Sequence, residues 1–367
     1  MPIPFVADDP HNHGNSQAGI KCLQKAYKAY PLPFSTSIQR RGHDPVKDVM
    51  TTDRSRPPTF ARFSRLWFGP AGLRTGWAAL LYAAIVAVLM AGAGWLARRL
   101  GLPFRLQGEV SAAHQVVFEL AMCGAVLVAT RVMSRIDRRA WLDFGLRAPR
   151  RLQHLLLGGA CGLAAVSAIM ALLVATGGAT LAYSGMSLAA ALEAGLTWAF
   201  AFALVAAAEE LAFRGYLFFR LAQGIPPTAA AVLTSLAFGL AHMSNHGENM
   251  AGIVPVVIYG FVACLAIWRT GSLWWVFGVH ATWDWSESFL FGAPNSGLVP
   301  SSSLLESHAI GPVWLSGGTV GPEGSVLVFP ALGALAWVAW RALPATGDAA
   351  RAAAGTRPAR GGAGRAG

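Results

Sequence analysis

Residues 76–97 read GWAALLYAAIVAVLMAGAGWLA, a run of 22 residues without a single charged side chain. As an α-helix that rises about 1.5 Å per residue, this run would be about 33 Å long, which matches the apolar thickness of a bilayer. Seven further apolar runs follow it. The eight predicted spans are 76–97, 114–134, 153–176, 188–220, 228–244, 251–268, 272–291 and 324–342. The sequence therefore predicts an all-α fold, a polytopic membrane helix bundle of about eight transmembrane helices.

The composition of the whole chain agrees with that fold class. Of its 367 residues 54% are hydrophobic and only 13% are charged, whereas a typical soluble domain has about 25% charged residues. Such a composition excludes a disordered chain, a disulfide-stapled secreted domain and a DNA-binding protein. The net charge of +11 needs no nucleic-acid partner, because the arginines lie beside the apolar runs, where orientation in a bilayer accounts for them.

The arginines also predict how the chain is oriented. Connections rich in positive charge stay on the cytoplasmic side of a bilayer. The most basic connection joins the second and third spans and contains Arg135, Arg138, Arg139, Arg147, Arg150 and Arg151. The alternating connections 177–187, 245–250 and 292–323 contain no lysine or arginine, while the connection between the first two spans, with three arginines, is an exception. We therefore expect both termini in the cytoplasm.

Three regions follow from the distribution of the apolar runs. We expect residues 1–70 to be a disordered, basic cytoplasmic tail, residues 71–343 the transmembrane domain, and residues 344–367 a disordered tail rich in Arg, Gly and Ala. All four lysines precede Met50, and none follows it. This shift suggests that translation of the native protein starts at Met50, which N-terminal peptide mapping would decide. A chain so rich in arginine and poor in lysine is typical of a bacterial protein, here of the plasma membrane.

Ionisable side chains inside the apolar spans mark the candidate site, since charge at membrane depth is costly and is usually kept for function. They concentrate in AAAEELAFRGY at 206–216, FGLAH at 238–242 and HATWD at 280–284. The candidate site residues are Glu209, Glu210, Arg214, His242, His280 and Asp284. Two other acids have plainer interpretations: Glu119 is taken as a helix-interface acid and Glu287 as an interfacial acid.

The spacing within these stretches predicts which side chains meet. Glu210 and Arg214 stand four residues apart with the acid first, the arrangement that favours an ion pair on a helix. Glu209 is rotated by about 100° from Glu210 on an ideal helix, so we expect the two carboxylates to have different partners, with Glu209 left for chemistry. His242 and His280 have similar estimated depths, which predicts one wet cavity in the cytoplasmic half of the membrane or near its midplane.

A group of carboxylates and imidazoles is suited to the hydrolysis of an amide bond. One of them takes a proton from water, and another group stabilises the oxyanion that forms. A divalent metal such as zinc can do both, since imidazole and carboxylate are ordinary zinc ligands. The residues alone leave open whether the site has no cofactor or one metal. If a metal is used, its predicted ligands are Glu209, His242, His280 and Asp284.

Three motifs, taken in order, resemble one family of membrane proteases. They are Glu209-Glu210-x-x-x-Arg214, Phe238-x-x-x-His242 and His280-x-x-x-Asp284. With this order and spacing the chain resembles the CPBP or Abi family of intramembrane proteases, which includes the type II CAAX prenyl endopeptidases. The resemblance implies a protease-like core at 190–291, a bilayer environment and a membrane-associated peptide or protein as substrate.

The resemblance also implies roles for the first site residues. In the family, the residues that correspond to Glu209 and His242 are taken to activate the water. The pair that corresponds to Glu210 and Arg214 is taken to orient the site. One branch of the family cuts prenylated C-terminal tails; for a bacterial chain, bacteriocin or signal-peptide-like precursors are alternative substrates.

The last motif departs from the family at Asp284, where asparagine is more common. In the family this position and His280 are taken to help stabilise the oxyanion or to bind metal. An amide can donate a hydrogen bond to an oxyanion, whereas an ionised aspartate would repel it. Asp284 therefore either stays protonated through burial beside Glu209 and Glu210, or ligates a divalent ion.

Two functions of other classes remain open from the sequence. Buried Glu, His and Asp also serve in proton- or ion-coupled transporters, although the two-fold internal repeat that is common in transporters is not visible. A non-catalytic protein that binds and protects another membrane protein is the second alternative. Trp283 is interpreted as part of an interface belt or of the core rather than of a ligand site.

Overall fold

The computed structural model of the protein describes residues 67–69, 72–102, 104, 106, 108–245 and 247–344. The two predicted tails lie outside these residues, apart from residues 67–69 and Pro344, and so does the suggested start at Met50. Within the described chain, long helices joined by short connections dominate.

Eight helices of more than ten residues run through the described chain, and each falls on one of the eight predicted spans. They are α1 (Thr75–Arg99), α2 (Ala112–Ile136), α3 (Arg151–Ala175), α4 (Leu188–Leu221), α5 (Pro227–His242), α6 (Met250–Thr270), α7 (Trp274–Trp285) and α8 (Val328–Arg341). Five of them, α1 to α4 and α6, are long and apolar enough to cross a membrane. The other three have 16, 12 and 14 residues, and α7 is extended by a π-helical turn, Ser286–Leu290. The predicted class, a polytopic helix bundle, is confirmed.

Short strands in the connections are a feature that the sequence analysis missed. They are β1 (Phe68–Gly69), β2 (Gly72–Leu73), β3 (Glu109–Val110), β4 (Ala179–Tyr183), β5 (Val299–Pro300) and β6 (Leu305–Ala309). β1 pairs with β2 and β4 with β6, both antiparallel, while β3 pairs with β5 in parallel. The partners β4 and β6 are far apart in sequence, and a pairing of that kind leaves no local periodicity to read.

Four connections gather at one end of the bundle, which we call the loop end. β3 with β5 and β4 with β6 join three of them, and the hydroxyl of Thr319 donates to the carbonyl oxygen of Gly247 (3.1 Å), which adds the fourth. The loop end consists of the connections 100–111, 176–187, 243–249 and 291–327.

The remaining connections meet at the other end, which we call the basic end. The backbone N–H of Leu273 donates to the carbonyl oxygen of Gly145 (3.0 Å), and Nε of Arg220 lies 3.3 Å from Oδ2 of Asp137. The basic end consists of the connections 137–150, 222–226 and 271–273. Successive connections therefore alternate between the two ends, in agreement with the predicted alternation of arginine-rich connections and connections poor in positive charge.

α3 and α7 touch backbone to backbone. Gly158 and Gly162 lie one turn apart on α3, and a Cβ atom at these positions would lie 2.0 Å from the carbonyl oxygen of Trp275 and 2.3 Å from that of Val279. Small residues spaced by four allow membrane helices to approach this closely. α3 thus fixes the position of α7, the helix that carries the last two predicted site residues.

Candidate active site

A π-helical turn follows the two adjacent glutamates of α4. The helix is α-helical as far as Glu210 and π-helical over Leu211–Leu217, where Gly215 has a non-helical ψ of −107°. Such turns are frequent at functional sites. Arg214 lies in this turn, and its Nη1 is 3.2 Å from Oε1 of Glu210, with both side chains fully buried. The ion pair expected from the spacing is present.

Phe238 of α5 packs between Arg214 and His242. The guanidinium carbon of Arg214 lies 3.7 Å from the centroid of the phenyl ring, a cation–π contact that is stronger where water is excluded. Gly260 on α6 makes room for the guanidinium, since a Cβ atom there would lie 2.9 Å from its Nη2. The same phenyl ring meets the ring of His242 edge-on, with 4.5 Å between centroids. The phenyl ring of Phe238 therefore packs against both Arg214 and His242, which explains the pairing of Phe238 with His242 in the Phe238-x-x-x-His242 motif.

His242 is the last residue of α5, and one of its ring nitrogens is already occupied. Nδ1 lies 2.9 Å from the carbonyl oxygen of Phe238. Because a carbonyl oxygen only accepts, Nδ1 is the donor of this bond. The other nitrogen, Nε2, faces Glu209 and lies 3.9 Å from its Oε2. A neutral His242 thus presents the lone pair of Nε2 towards Glu209.

His280 lies between the two adjacent glutamates. Its Nδ1–H donates to Oε1 of Glu210 (2.8 Å), and its Nε2 is 3.6 Å from Oε2 of Glu209. Nε2 is also 3.5 Å from Oδ2 of Asp284, one turn further along α7. The prediction that the two glutamates have separate partners is therefore wrong. One imidazole contacts both, because its two nitrogens point in different directions.

The structure brings the six predicted site residues into one cluster with graded exposure. The exposed fractions of the side chains are 27% for Glu209, 13% for His242, 9% for His280, 8% for Asp284 and 0% for Glu210 and Arg214. Glu209 is thus the member most accessible to a substrate. The fully buried pair lies behind the cluster and contacts it through His280.

The predicted metal ligands do not form a metal site as they are placed. Within the part of the chain that the structure describes, no group of three or more His, Cys, Asp or Glu side chains could hold a metal ion. Among the predicted ligands, Nε2 of His280 lies 3.5 Å from Oδ2 of Asp284 and 3.6 Å from Oε2 of Glu209, and Nε2 of His242 lies 3.9 Å from that same oxygen of Glu209.

Two polar groups that the sequence analysis missed lie at the same site. The hydroxyl of Tyr259, on α6, is 3.5 Å from Oε1 of Glu210, and its ring meets that of His280 edge-on. Asn295, in the connection after α7, lies next to Asp284; its amide Nδ2 is buried, and both residues line the same cavity. No local signal marks either residue, since one stands in an apolar span and the other in a loop.

Three single-residue interpretations can now be compared with the structure. Glu119 is buried and accepts a hydrogen bond from Nε2 of Gln115 (3.0 Å), and both line the cavity of the site. Glu287 is fully buried, so its interpretation as an interfacial acid is wrong; it belongs to the π-helical turn after α7. Trp283 is buried, as expected, but it also lines the cavity of the site, and its indole N–H donates to Oε1 of Glu323 (3.1 Å).

One cavity of about 420 Å³ joins these residues. Glu209, His242, His280 and Asp284 all line it. Its walls are largely apolar: along α4 the lining residues Trp198, Phe202 and Val205 lead to Glu209, a distance of about 16 Å along the helix axis. The site is therefore the polar part of a long, mostly apolar cavity.

Fold and site together define a class of protein: a polytopic helical membrane protein in which buried acids and imidazoles meet beside an apolar cavity, an arrangement suited to hydrolysis. Residues 191–286 match the family model described as type II CAAX prenyl endopeptidase Rce1-like. This match contains all six predicted site residues and confirms the resemblance that the three motifs indicate. Searches of curated proteins and of solved structures found no significant match. The chain is thus an integral membrane protein with a segment similar to a family of CAAX proteases.

Proposed function

We propose that the protein is an intramembrane endopeptidase that hydrolyses a peptide bond of a membrane-associated polypeptide. The observation that carries the proposal is the position of Oε2 of Glu209, 3.9 Å from Nε2 of His242 and 3.6 Å from Nε2 of His280. These separations exceed a direct hydrogen bond and suit a water molecule between the groups. The match to a protease family favours this function over ion-coupled transport and over non-catalytic binding.

Glu209 and His242 act on the attacking water. With Nδ1 of His242 bound to a carbonyl, its Nε2 and the carboxylate of Glu209 are two acceptors for the two protons of one water. Held in this way, the water oxygen attacks the carbonyl carbon of the scissile bond while Glu209 takes a proton. The proton then goes to the leaving nitrogen as the C–N bond breaks.

Glu210 and Arg214 are positioning residues that act through His280. The carboxylate of Glu210 accepts from Nδ1 of His280 and is itself held by Arg214 and by the hydroxyl of Tyr259. A carboxylate on one ring nitrogen fixes the orientation of the ring and leaves the other nitrogen for the site. Nε2 of His280 therefore stays directed at Glu209.

The oxyanion that forms on attack requires a hydrogen-bond donor. Asp284 can serve only when it is protonated. The amide of Asn295 is a second donor, because it is buried beside the carboxyl of Asp284 and lines the same cavity. Loss of one oxyanion donor typically lowers kcat by about 10²–10³.

The same proposal includes the orientation of the protein in the membrane and the division of the chain into regions. The basic end lies in the cytoplasm of a bacterial cell, with both termini on that side, since arginine-rich connections stay inside. Residues 71–343 are the transmembrane domain with the protease core at 190–291, and the segments 1–70 and 344–367 are tails.

The test compares variants in a strain that lacks the native gene, with cleavage products identified by their new N-termini. Glu209→Gln and His242→Ala should each lower cleavage by about 10²–10⁴, with membrane insertion unchanged. The matched controls are Glu193→Gln, an exposed acid on the same helix, and His308→Ala, an exposed histidine of β6. Full cleavage by Glu209→Gln would exclude Glu209 as the base, and the absence of any product that depends on the wild-type protein would leave transport or binding.

A further inference from the structure

The cavity extends from the site in one direction only. Starting from Glu209 and His280, its described lining continues through Trp198 of α4 and Phe118 of α2 to the connections of the loop end, where Phe104 and Val299 line it. None of the described lining residues belongs to the connections of the basic end. The site is therefore reached from the loop end.

Exposure along the cavity agrees with this direction. Ser244 and Val299, both in connections of the loop end, line the cavity and are exposed. His280 and Asp284 line it as well and are buried. The mouth lies at the loop end, and His280 and Asp284 lie in the buried part of the cavity.

The charge of the two ends determines the side of the membrane that the mouth faces. The connection 137–150, the most basic of the chain, lies at the basic end, whereas Arg98 and Arg99 are the arginines described at the loop end. The more basic end of a membrane protein faces the cytoplasm. The loop end, and with it the mouth, then faces the exported side.

The lining also restricts what can enter. Trp198, Phe202 and Val205 form an apolar wall of about 10 Å, the length of roughly three residues of extended chain at 3.3 Å each. An extended apolar segment therefore fits, with its main chain beside Glu209.

Four carboxyl groups belong to the polar part of the lining. They belong to Glu119, Glu209, Asp284 and Glu323, and no lysine or arginine occurs among the described lining residues. A free C-terminal carboxylate would add a further negative charge to this part of the cavity without a lysine or arginine to pair with it. The cavity therefore disfavours a chain end and favours the interior of a polypeptide.

From these observations we infer that the substrate is an exported or membrane-inserted polypeptide, which enters the cavity from the exported side as an extended apolar segment and is cut at an internal bond. This inference rests on the proposed peptidase function for the cleavage, and on the cavity alone for the side of entry. It differs from the removal of a short C-terminal tail on the cytoplasmic side.

The side of entry can be measured without any activity. In a variant whose four native cysteines are replaced by alanine, Val299→Cys should react in intact cells with a maleimide that cannot cross the membrane. Arg147→Cys, an exposed residue at the basic end, should react only after the cells are permeabilised. The opposite labelling pattern would overturn entry from the exported side.

The blocking of the mouth provides the second measurement. A bulky maleimide on Val299→Cys should lower cleavage at least tenfold relative to the same variant without label, whereas a label on Arg147→Cys should not. Unchanged cleavage after complete labelling of Val299→Cys would show that substrates take another route.

Mapped cleavage sites test the substrate class. Products that depend on wild-type protein and are lost with Glu209→Gln should have internal new ends, within or beside apolar segments on the exported side. New ends within three residues of a cytoplasmic C-terminus would overturn the inference. If no product depends on the wild type, the proposed function fails and the substrate class with it, while the labelling still decides which side the mouth faces.

Discussion

At the scale of single residues, the fully buried Arg214 decides whether Glu210 can hold His280. Removal of one partner of a buried ion pair leaves an uncompensated charge and costs about 3–5 kcal/mol. We expect Arg214→Ala to lower both the folded yield and the cleavage activity, measured by thermal unfolding in detergent and by the cleavage assay. The double variant Glu210→Gln/Arg214→Ala should recover part of the yield, because glutamine carries no charge, but little activity. A double variant no more stable than the single one would contradict this explanation.

Asp284 offers a second prediction, since it must be protonated to donate to an oxyanion. A required acid loses its proton, and the enzyme its activity, as the pH rises, whereas asparagine has no proton to lose. We therefore expect Asp284→Asn to keep or raise activity, with a smaller loss at high pH than in the wild type, and chelators to have no effect. The measurements are a pH profile and metal analysis.

The metal route predicts the reverse for the same variant. A chelator would inactivate the wild type, zinc would restore it, and Asp284→Asn would bind metal more weakly. One tightly bound zinc per chain would thus overturn the protonated-acid route. Asn295→Leu in the same assay reports whether the neighbouring amide donates: kcat should fall while KM changes little.

At the scale of elements, the contact between α3 and α7 is the least tolerant of added volume. A Cβ atom at Gly162 would lie 2.3 Å from the carbonyl oxygen of Val279, so Gly162→Ala should push the helices apart, lower the melting temperature and reduce cleavage. Gly124→Ala is the matched control, since nothing described lies within 4 Å of its added methyl and alanine favours the helix by about 0.5–1 kcal/mol. Equal stability of the two variants would mean that α3 and α7 tolerate separation.

Glu248, in a connection at the loop end, makes the stability of the protein sensitive to pH. Burial raises the pKa of its carboxyl to about 7. The negative charge of Glu323 also raises this pKa, whereas the hydrogen bond from the backbone N–H of Asn249 and the nearby His242 lower it. An acid whose pKa is higher in the folded than in the unfolded state stabilises the fold at low pH, and this contribution is lost as the pH rises from about 4.5 to about 7. The melting temperature should therefore fall over this range, and the fall should be smaller in Glu248→Gln. An equal fall in both proteins would assign it to other groups.

At the scale of the whole molecule, the alternation of ends predicts the topology. Reporter fusions after residues 185 and 300 should report the exported side, and fusions after 145 and 345 the cytoplasm. The strand pairs β3–β5 and β4–β6 place the first two positions in connections of one end. A cytoplasmic signal at 300 with an exported signal at 185 would be incompatible with that pairing.

The sequence predicts the helices and the clustering of the six candidate residues because both signals are local. An apolar run of about twenty residues specifies a span by itself, and residues four apart on a helix share a face, as Glu210 and Arg214 do. What it misses depends on contacts between distant segments. Asn295 lies at the site on a loop, and Tyr259 lies there on another helix. β4 pairs with β6, which follows it only after four helices. No local sequence pattern predicts any of these contacts.

The walls of the cavity have a consequence for its water. A volume of about 420 Å³ holds on the order of ten water molecules at their share of the liquid. Those beside Trp198 and Phe202 have few polar partners, while the proposed hydrolysis needs one water to stay at Glu209. A substrate that fills the apolar part of the cavity displaces the waters beside Trp198 and Phe202 and leaves the water at Glu209 in place. Burial of the apolar surface makes the heat-capacity change of binding negative. Substrate entry thus removes water from the apolar part of the cavity and retains the water that reacts at Glu209.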